Sequence, residues 1–416
     1  MNRIRLALVV SVMMLMVLSL FPAGTHAAKT VYIGGTMSLT GPYAEDSAAI
    51  LAAFEDYVKY VNETKRLAPW RNEKWPADIT QELLWRDDEL KPAKALPIYE
   101  ELKAKGILVY RCSGSPIALA LKQRLIEDHM GATSMATGPY LMTPPGTILT
   151  YYPIYTDDLG AVADWFKANW KEKRKPRVAY LTADNAMGKS IEIPEMKEYL
   201  EKVGYEFVGA QYVPLVPTSP PTTQLMWLKE NKVDLAVGIM VNPGSQPTVK
   251  EMVRLGMGPY QAYKMVFACG TPSHLPVFAR AMGKLGDGFV VAGGFPDWDD
   301  PATGVKLEVE LQKKYHPQKF ANHTQYNGGF LEAMIQTEAI RLAMEKTPLE
   351  KLKPINVLED GFYKIKNLDT EGISSTPLTY GPGKIEGVDA VRVDQLQNGK
   401  VVKVGTYPCR HLYKQK

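Results

Sequence analysis

Hydroxyls set beside free amides, rather than a catalytic constellation, are the chemistry that stands out in this sequence. Ser113 and Ser115 fall in Arg111-Cys112-Ser113-Gly114-Ser115-Pro116, and Thr137 falls in Ala136-Thr137-Gly138-Pro139, one strand–helix unit later. Small hydroxyl residues that end a strand and open a helix sit next to N–H groups without intrahelical partners, an arrangement that cradles an anion. Pro116 suits the first turn of a helix and leaves Ser113 and Ser115 beside those amides. The same residues also serve as helix caps and turn formers with no ligand. Two such loops in successive units favour a site, because both would leave the carboxyl ends of parallel strands, the edge where open α/β sheets bind ligands.

For two such loops to meet, strands and helices must alternate. Residues 107–110 and 131–135 read as strands around a helix over 117–129. Upstream lie strands at 31–37 and 79–85, with a helix whose apolar face carries Ile50, Phe54, Val58 and Val61. Residues 91–105 are helical in pattern, and Pro97 should kink that helix or mark its true start. Downstream, an extended segment at 149–154 ends in the turn Tyr155-Thr156-Asp157-Asp158, followed by a helix at 159–170. Strands at 177–181, 206–213, 233–240 and 264–269 then alternate with helices at 223–231 and 246–255. The end is less regular: a strand at 288–292, helices at 302–315 and 326–344, and a hairpin turning at Asn398-Gly399. Alternation over so many units predicts mostly parallel sheets with helices on both faces, in two α/β lobes.

A chain of 416 residues is too long for one ordinary core. Apolar residues are 45% and charged residues 23%, a globular balance, and the net charge of +4 comes from scattered basic residues. Their one cluster, 171–177, reads as a solvated helix end, so nucleic-acid binding is excluded. Arg3 and Arg5 precede an apolar run over 6–21 and a small-residue exit over 22–28, the layout of a cleaved secretory signal. The mature chain is then expected to be exported, soluble and monomeric. Cys112, Cys269 and Cys409 lie far apart and match no metal spacing; Cys269 with Cys409 is the candidate disulfide. No hydrolase elbow, zinc-protease, P-loop or dinucleotide motif is present, which argues against an enzyme and a cofactor. His274 and His323 are expected to be surface or capping groups.

In order and spacing, Thr40-Gly41-Pro42, Arg86-Asp87-Asp88, Cys112-Ser113-Gly114-Ser115, Ala136-Thr137-Gly138-Pro139 and Pro377-Leu378-Thr379-Tyr380 resemble the type I periplasmic binding proteins of the leucine/isoleucine/valine-binding class. These are extracytoplasmic receptors of ABC importers, and the resemblance covers nearly all of the chain beyond the signal. It implies two Rossmann-like lobes joined by three crossover strands, with crossings near Thr150, Ala292 and Val388. The lobes would be 29–150 with 294–388, and 151–293 with 389–416.

The resemblance places a ligand carboxylate on Ser113, assisted or replaced by Ser115, and on Thr137, with Met135 and Ala136 beside it. Each charge-assisted hydrogen bond contributes about 1.5–3 kcal/mol, enough for two or three to anchor an anion without an arginine. Replacing Ser113 and Thr137 with alanine is expected to weaken binding and leave the stability of the free protein nearly unchanged. Tyr43 and Asp46 belong to the first loop, Asp46 doubling as a helix cap.

Amino-acid receptors of this class hold the ammonium with acidic residues from the second lobe. Here those positions match Gly270 and Thr156, with Asp157 and Asp158 next to the latter. Family tyrosines match Met187 and either Val241 or Asn242. The expected ligand is therefore a small carboxylate with an apolar or aromatic body, bordered by Tyr43, Tyr151, Tyr152, Tyr155 and Phe295. The expected partners are importer permease subunits. A sensor protein of the same fold is the alternative, and an amide- or ester-processing enzyme a more distant one.

Overall fold

The computed structural model describes residues 29–41, 43–323 and 325–413. The expected signal, residues 1–28, lies outside the described residues. Among the described residues, no helix is long and apolar enough to cross a membrane.

The first sheet is wholly parallel, in the order β2-β1-β3-β4-β5. Its strands are β1 (Lys29–Met37), β2 (Ile79–Asp87), β3 (Val109–Cys112), β4 (Ala132–Ser134) and β5 (Ile148–Leu149). Its sequential helices are α1 (Ala44–Thr64), α2 (Pro92–Ala104) and α3 (Ser115–Glu127). The helix α2 starts at Pro92, so Pro97 lies inside it rather than at its start. Pro97 is exposed, so the carbonyl of Ala93 that loses its amide donor can turn to water.

The second sheet has seven strands in the order β12-β11-β10-β9-β8-β6-β7. The parallel set is β6 (Arg177–Ala183), β7 (Glu206–Val213), β8 (Leu235–Gly238), β9 (Val266–Cys269) and β10 (Val290–Ala292). The edge is antiparallel, formed by β11 (Ala390–Gln397) and β12 (Lys400–Pro408). They join at Asn398 and Gly399, whose φ values of 54° and 75° suit a tight hairpin turn.

The helices of this half begin with α4 (Tyr155–Asn169), α5 (Pro194–Val203) and α6 (Thr222–Glu230), followed by α7 (Asn242–Arg254) and α8 (Leu275–Met282). The start of α4 differs from the sequence reading. Tyr155 to Asp158, read as a loop, form the helix's first turn, with Asp157 and Asp158 buried there. Likewise α7 begins at Asn242 with Pro243 in its first turn, earlier than its apolar periodicity suggested.

Between β10 and β11 the chain returns to the first half. There α9 (Thr303–Tyr315) and α10 (Gln325–Met344) pack on α1. Tyr326 donates to Asp56 at 2.7 Å, His316 contacts the same carboxylate at 3.1 Å, and Tyr57 meets Phe330 edge-on at 4.9 Å between ring centroids. The crossing segments run side by side: Thr150 N–H bonds Ile385 O, and Gly387 N–H bonds Thr150 O, both at 2.8 Å. Behind them an ion pair is sealed in the core. The Arg111 guanidinium donates to Glu332 and, at 2.8 Å, to Thr36 O, while the Tyr151 hydroxyl donates to Glu332 at 3.1 Å.

All three cysteines are buried free thiols, so the Cys269–Cys409 disulfide does not form. The physical reason is packing: Cys269 belongs to the core of the second sheet, with Phe267 and Phe278, while Cys409 packs in a separate apolar cluster with Val388 and Val391.

Candidate functional site

A cavity of about 420 Å³ opens between the two sheets, within the range typical of small-molecule pockets. It is built from strand ends. The exits of β3, β4, β6, β8 and β9 supply Ser113 to Pro116, Met135 and Ala136, Asn185 to Met187, Val241, and Thr271 with Pro272 and His274. Helix starts supply Tyr43 (immediately before α1), Asp46, Ser47 and Ile50 from α1, Tyr155 from α4 and Gln325 from α10, while Leu90, Leu119 and Leu215 add apolar surface. Tyr140 and Tyr152 complete the aromatic side of the wall. Parallel strands place all these loops on one edge because each crossover returns the chain to the same end of the sheet.

The expected residues divide into two groups. Tyr43, Asp46, Ser113, Ser115, Met135, Ala136, Tyr155, Met187 and Val241 line the cavity. Thr137, Thr156, Asn242 and Gly270 do not; they lie behind its wall. Thr137 is fully buried, its hydroxyl has no hydrogen-bond partner, and its carbonyl receives the Tyr155 N–H at 3.0 Å. Thr156 is buried in α4 with an unpartnered hydroxyl, and Asn242 donates to His274 O at 3.4 Å.

Gly270 owes its residue type to the group beneath it. A Cβ there would stand 2.7 Å from Asp158 Oδ2 and 2.6 Å from the Ile239 side chain. The Asp158 carboxylate receives Thr271 N–H at 2.9 Å and Thr271 Oγ1 at 2.8 Å. Asp157 and Asp158 are both fully buried and neither lines the cavity. Burial pushes Asp158 well above the usual carboxylate range, and burial together with Glu386 pushes Asp157 up to about 8.

Ser113 is engaged differently from the sequence reading. Its hydroxyl donates to the buried carboxylate of Asp88, which also accepts Ser38 Oγ at 2.8 Å and Leu90 N–H at 2.8 Å. The proton of Ser113 is thus committed inward, leaving only lone pairs for the cavity. Ser115 lies instead against the phenols of Tyr140 and Tyr155. In the second loop, the Ala136 N–H is already bonded to Ser134 Oγ at 3.0 Å.

Electrostatically the cavity is poor in charge. Among the described residues that line it there is no lysine or arginine, and Asp46 is the one carboxylate. The Asp46 side chain is 37% exposed, yet the surrounding walls strip enough water to push it up to about 6, with Glu45 adding to the shift. Burial raises Tyr43 to about 12, aided by Asp46, and lowers His274 to about 3, so both are neutral at pH 7.

His274, expected at the surface, is in fact buried in the wall, hydrogen-bonded to Gln325, because the loop after β9 turns inward. His323 is also mostly covered, 3.6 Å from Asp46, and its burial lowers its pKa. The lining residues missed from sequence include Tyr140, His274 and Gln325. Tyr140 follows the second hydroxyl loop at once, which was a usable signal. Gln325 had none, since only packing brings the start of α10 to this edge.

A family model described as "Periplasmic binding protein" matches residues 30–368. No curated protein matches the sequence. Among solved structures, a branched-chain amino acid ABC transporter protein from Thermus thermophilus with bound valine superposes with a TM-score of 0.78 at 21% identity, covering 92% of this chain and 97% of that one. A fatty acid ABC transporter substrate-binding protein from Thermomonospora curvata gives 0.74 at 20% identity, covering 92% and 94%. A solute-binding protein of an ABC transporter from Rhodopseudomonas palustris BisB5, in complex with 3,4-dihydroxybenzoic acid, gives 0.71 at 19% identity, covering 91% and 98%. At these identities the likeness is one of fold.

Proposed function

We propose a function from the premise that the chain belongs to the periplasmic binding protein family. It is an extracytoplasmic solute receptor that delivers a small carboxylate with an apolar or aromatic body to the permease of an ABC importer. The lobes that close on the ligand are 29–150 with 294–388 and 151–293 with 389–416. Ligand bridging both lobes favours the closed arrangement by its higher affinity for that state.

The observation that carries this reading is the composition of the cavity wall. Ile50, Leu90, Leu119, Met135, Met187, Leu215 and Val241 surround the space with Tyr43, Tyr140, Tyr152 and Tyr155. Polar atoms are few and grouped. Ser115, the phenols of Tyr140 and Tyr155, and the free amides of the α3 start form one group, suited to a carboxylate. Tyr152, His274 and Gln325 add further polar side chains to the wall, and Tyr152 Oη, His274 Nδ1 and Gln325 Oε1 have no hydrogen-bond partner within the protein. Asp158, beneath the position that matches the family's ammonium site, is held under Thr271, which leaves Asp46 as the one lining carboxylate among the described residues. The superposing proteins are described with valine, a fatty acid and a dihydroxybenzoic acid, and of these the last suits a wall of tyrosines with a single carboxylate at its edge.

The test is calorimetry on protein refolded free of carried-over ligand, against hydroxybenzoates, phenylalkanoates, fatty acids and leucine. Binding of an aromatic or aliphatic acid at least tenfold tighter than leucine is expected. Tight binding of leucine or valine alone would overturn the assignment.

A further inference from the structure

Behind the cleft, where the crossing segments run side by side, four side chains with metal-binding atoms converge from three stretches of chain. Asp157 comes from the first turn of α4, Glu386 from the segment that bridges to Thr150, and Cys409 and His411 from the stretch beyond β12. One carboxylate oxygen from Asp157, one from Glu386 and the Cys409 sulfur lie within 4.8 Å of one another. His411 Nδ1 stands 3.2 Å from Glu386 Oε2 and 3.8 Å from Asp157 Oδ2. Asp157, Glu386 and Cys409 are 0%, 2% and 9% exposed.

The outward atoms of this group are already held. Asp157 Oδ1 receives the amides of Arg410 at 3.0 Å and Leu412 at 3.4 Å, and Glu386 Oε1 receives the amide of Ile154 at 3.0 Å. Such contacts orient carboxylates in the way outer-shell partners orient metal ligands. The inward atom, Asp157 Oδ2, is buried and accepts no hydrogen bond. The Arg410 guanidinium pairs with Asp164 at 2.6 Å. Among the described residues, the two buried carboxylates have His411 as their one ion-pair partner, with the Cys409 thiol beside them.

We infer that Asp157, Glu386, Cys409 and His411 bind a divalent, zinc-type cation that clips the C-terminal segment onto the hinge. Two oxygens, one nitrogen and one sulfur make a four-ligand set in which thiolate and imidazole exclude magnesium and calcium and suit zinc. Bonds of about 2.0–2.3 Å in a tetrahedron imply ligand-to-ligand spacings of about 3.3–3.8 Å, so an ion would replace the 3.2 Å His411–Glu386 hydrogen bond and draw together atoms that now lie within 4.8 Å of one another. The ligands come from residues far apart in sequence, so no local spacing announces the site. The clip would fix the first turn of α4, two residues beyond Tyr155 of the cavity wall.

The test uses tag-free protein stripped with a chelator and titrated with Co²⁺, which occupies zinc sites and reports thiolate ligation by a near-ultraviolet charge-transfer band. One equivalent with that band, displaced by Zn²⁺, is expected, together with a higher thermal midpoint when Zn²⁺ is added. Cys409→Ser should abolish the band. His411→Ala, at a half-exposed position that folding tolerates, should weaken Zn²⁺ binding roughly tenfold or more. Absence of the band in the stripped wild type, its survival in Cys409→Ser, or wild-type affinity in His411→Ala would each overturn the site, leaving a proton shared between the carboxylates.

Discussion

At the scale of single residues, the hydroxyls of the first loop turn out to have opposite duties. Ser113 is a donor to Asp88, one of three donors that satisfy a carboxylate with no access to water. Ser113→Ala should therefore cost about 1–3 kcal/mol of stability, read from the denaturant midpoint, rather than leaving the free protein unchanged. Ser115 faces the cavity beside Tyr140 and Tyr155. Ser115→Ala is expected to weaken ligand binding by about tenfold at unchanged stability, the effect of losing one charge-assisted hydrogen bond. An affinity loss confined to Ser113→Ala would reverse these roles.

Asp46 sets a pH dependence of the same site. Its folded pKa, raised to about 6 by burial and Glu45, lies above the ordinary carboxylate value near 4. The folded state thus binds the extra proton between about pH 4 and 6, and this stabilising contribution is lost as pH rises through 6. His323, 3.6 Å away, has a lowered pKa and does not offset the charge above that range. An anionic ligand should accordingly bind more tightly at pH 5 than at pH 7.5, and Asp46→Asn should flatten the profile. A profile that is flat in the wild type between these values would remove Asp46 from the site.

Among the elements, the position of α1 depends on how closely α10 approaches it. A Cβ on Gly329 would stand 2.1 Å from the Ile50 carbonyl oxygen and 2.8 Å from its carbon. Both are backbone atoms, so no side chain can swing aside and the helices must separate. Because Ile50 and Asp46 on α1 line the cavity, Gly329→Ala should lower stability by about 1–3 kcal/mol and weaken ligand binding as well. Unaltered affinity in a destabilised variant would mean that α1 does not set the cavity's shape. Elements were also where the sequence was easiest to read. The strand at 206–213 was placed to the residue, and Asn398-Gly399 announced the hairpin. The misplaced boundaries, at α4 and α7, came from polar first turns, where capping chemistry looks the same as loop chemistry.

Across the whole molecule, binding by closure predicts a change of shape. Addition of a saturating ligand identified by calorimetry should reduce the radius of gyration measured by small-angle X-ray scattering. A radius that stays constant while the ligand binds would refute the hinge mechanism and leave a rigid pocket.

The sequence by itself determined the alternation of strands and helices, because periods of two and of 3.6 are visible along the chain. It also placed the hydroxyl loops at strand ends, since Gly, Pro and small hydroxyl residues mark those turns locally. Only the tertiary structure decided which hydroxyl is free. Ser113 and Ser115 look alike in sequence, and the difference is Asp88, which folding buries beside one of them. The same holds for Asp158 under Gly270, for Gln325 in the cavity wall, and for Asp157, Glu386, Cys409 and His411 at the hinge. Local patterns encode conformation, whereas partnership between side chains distant in sequence exists only once the chain has folded.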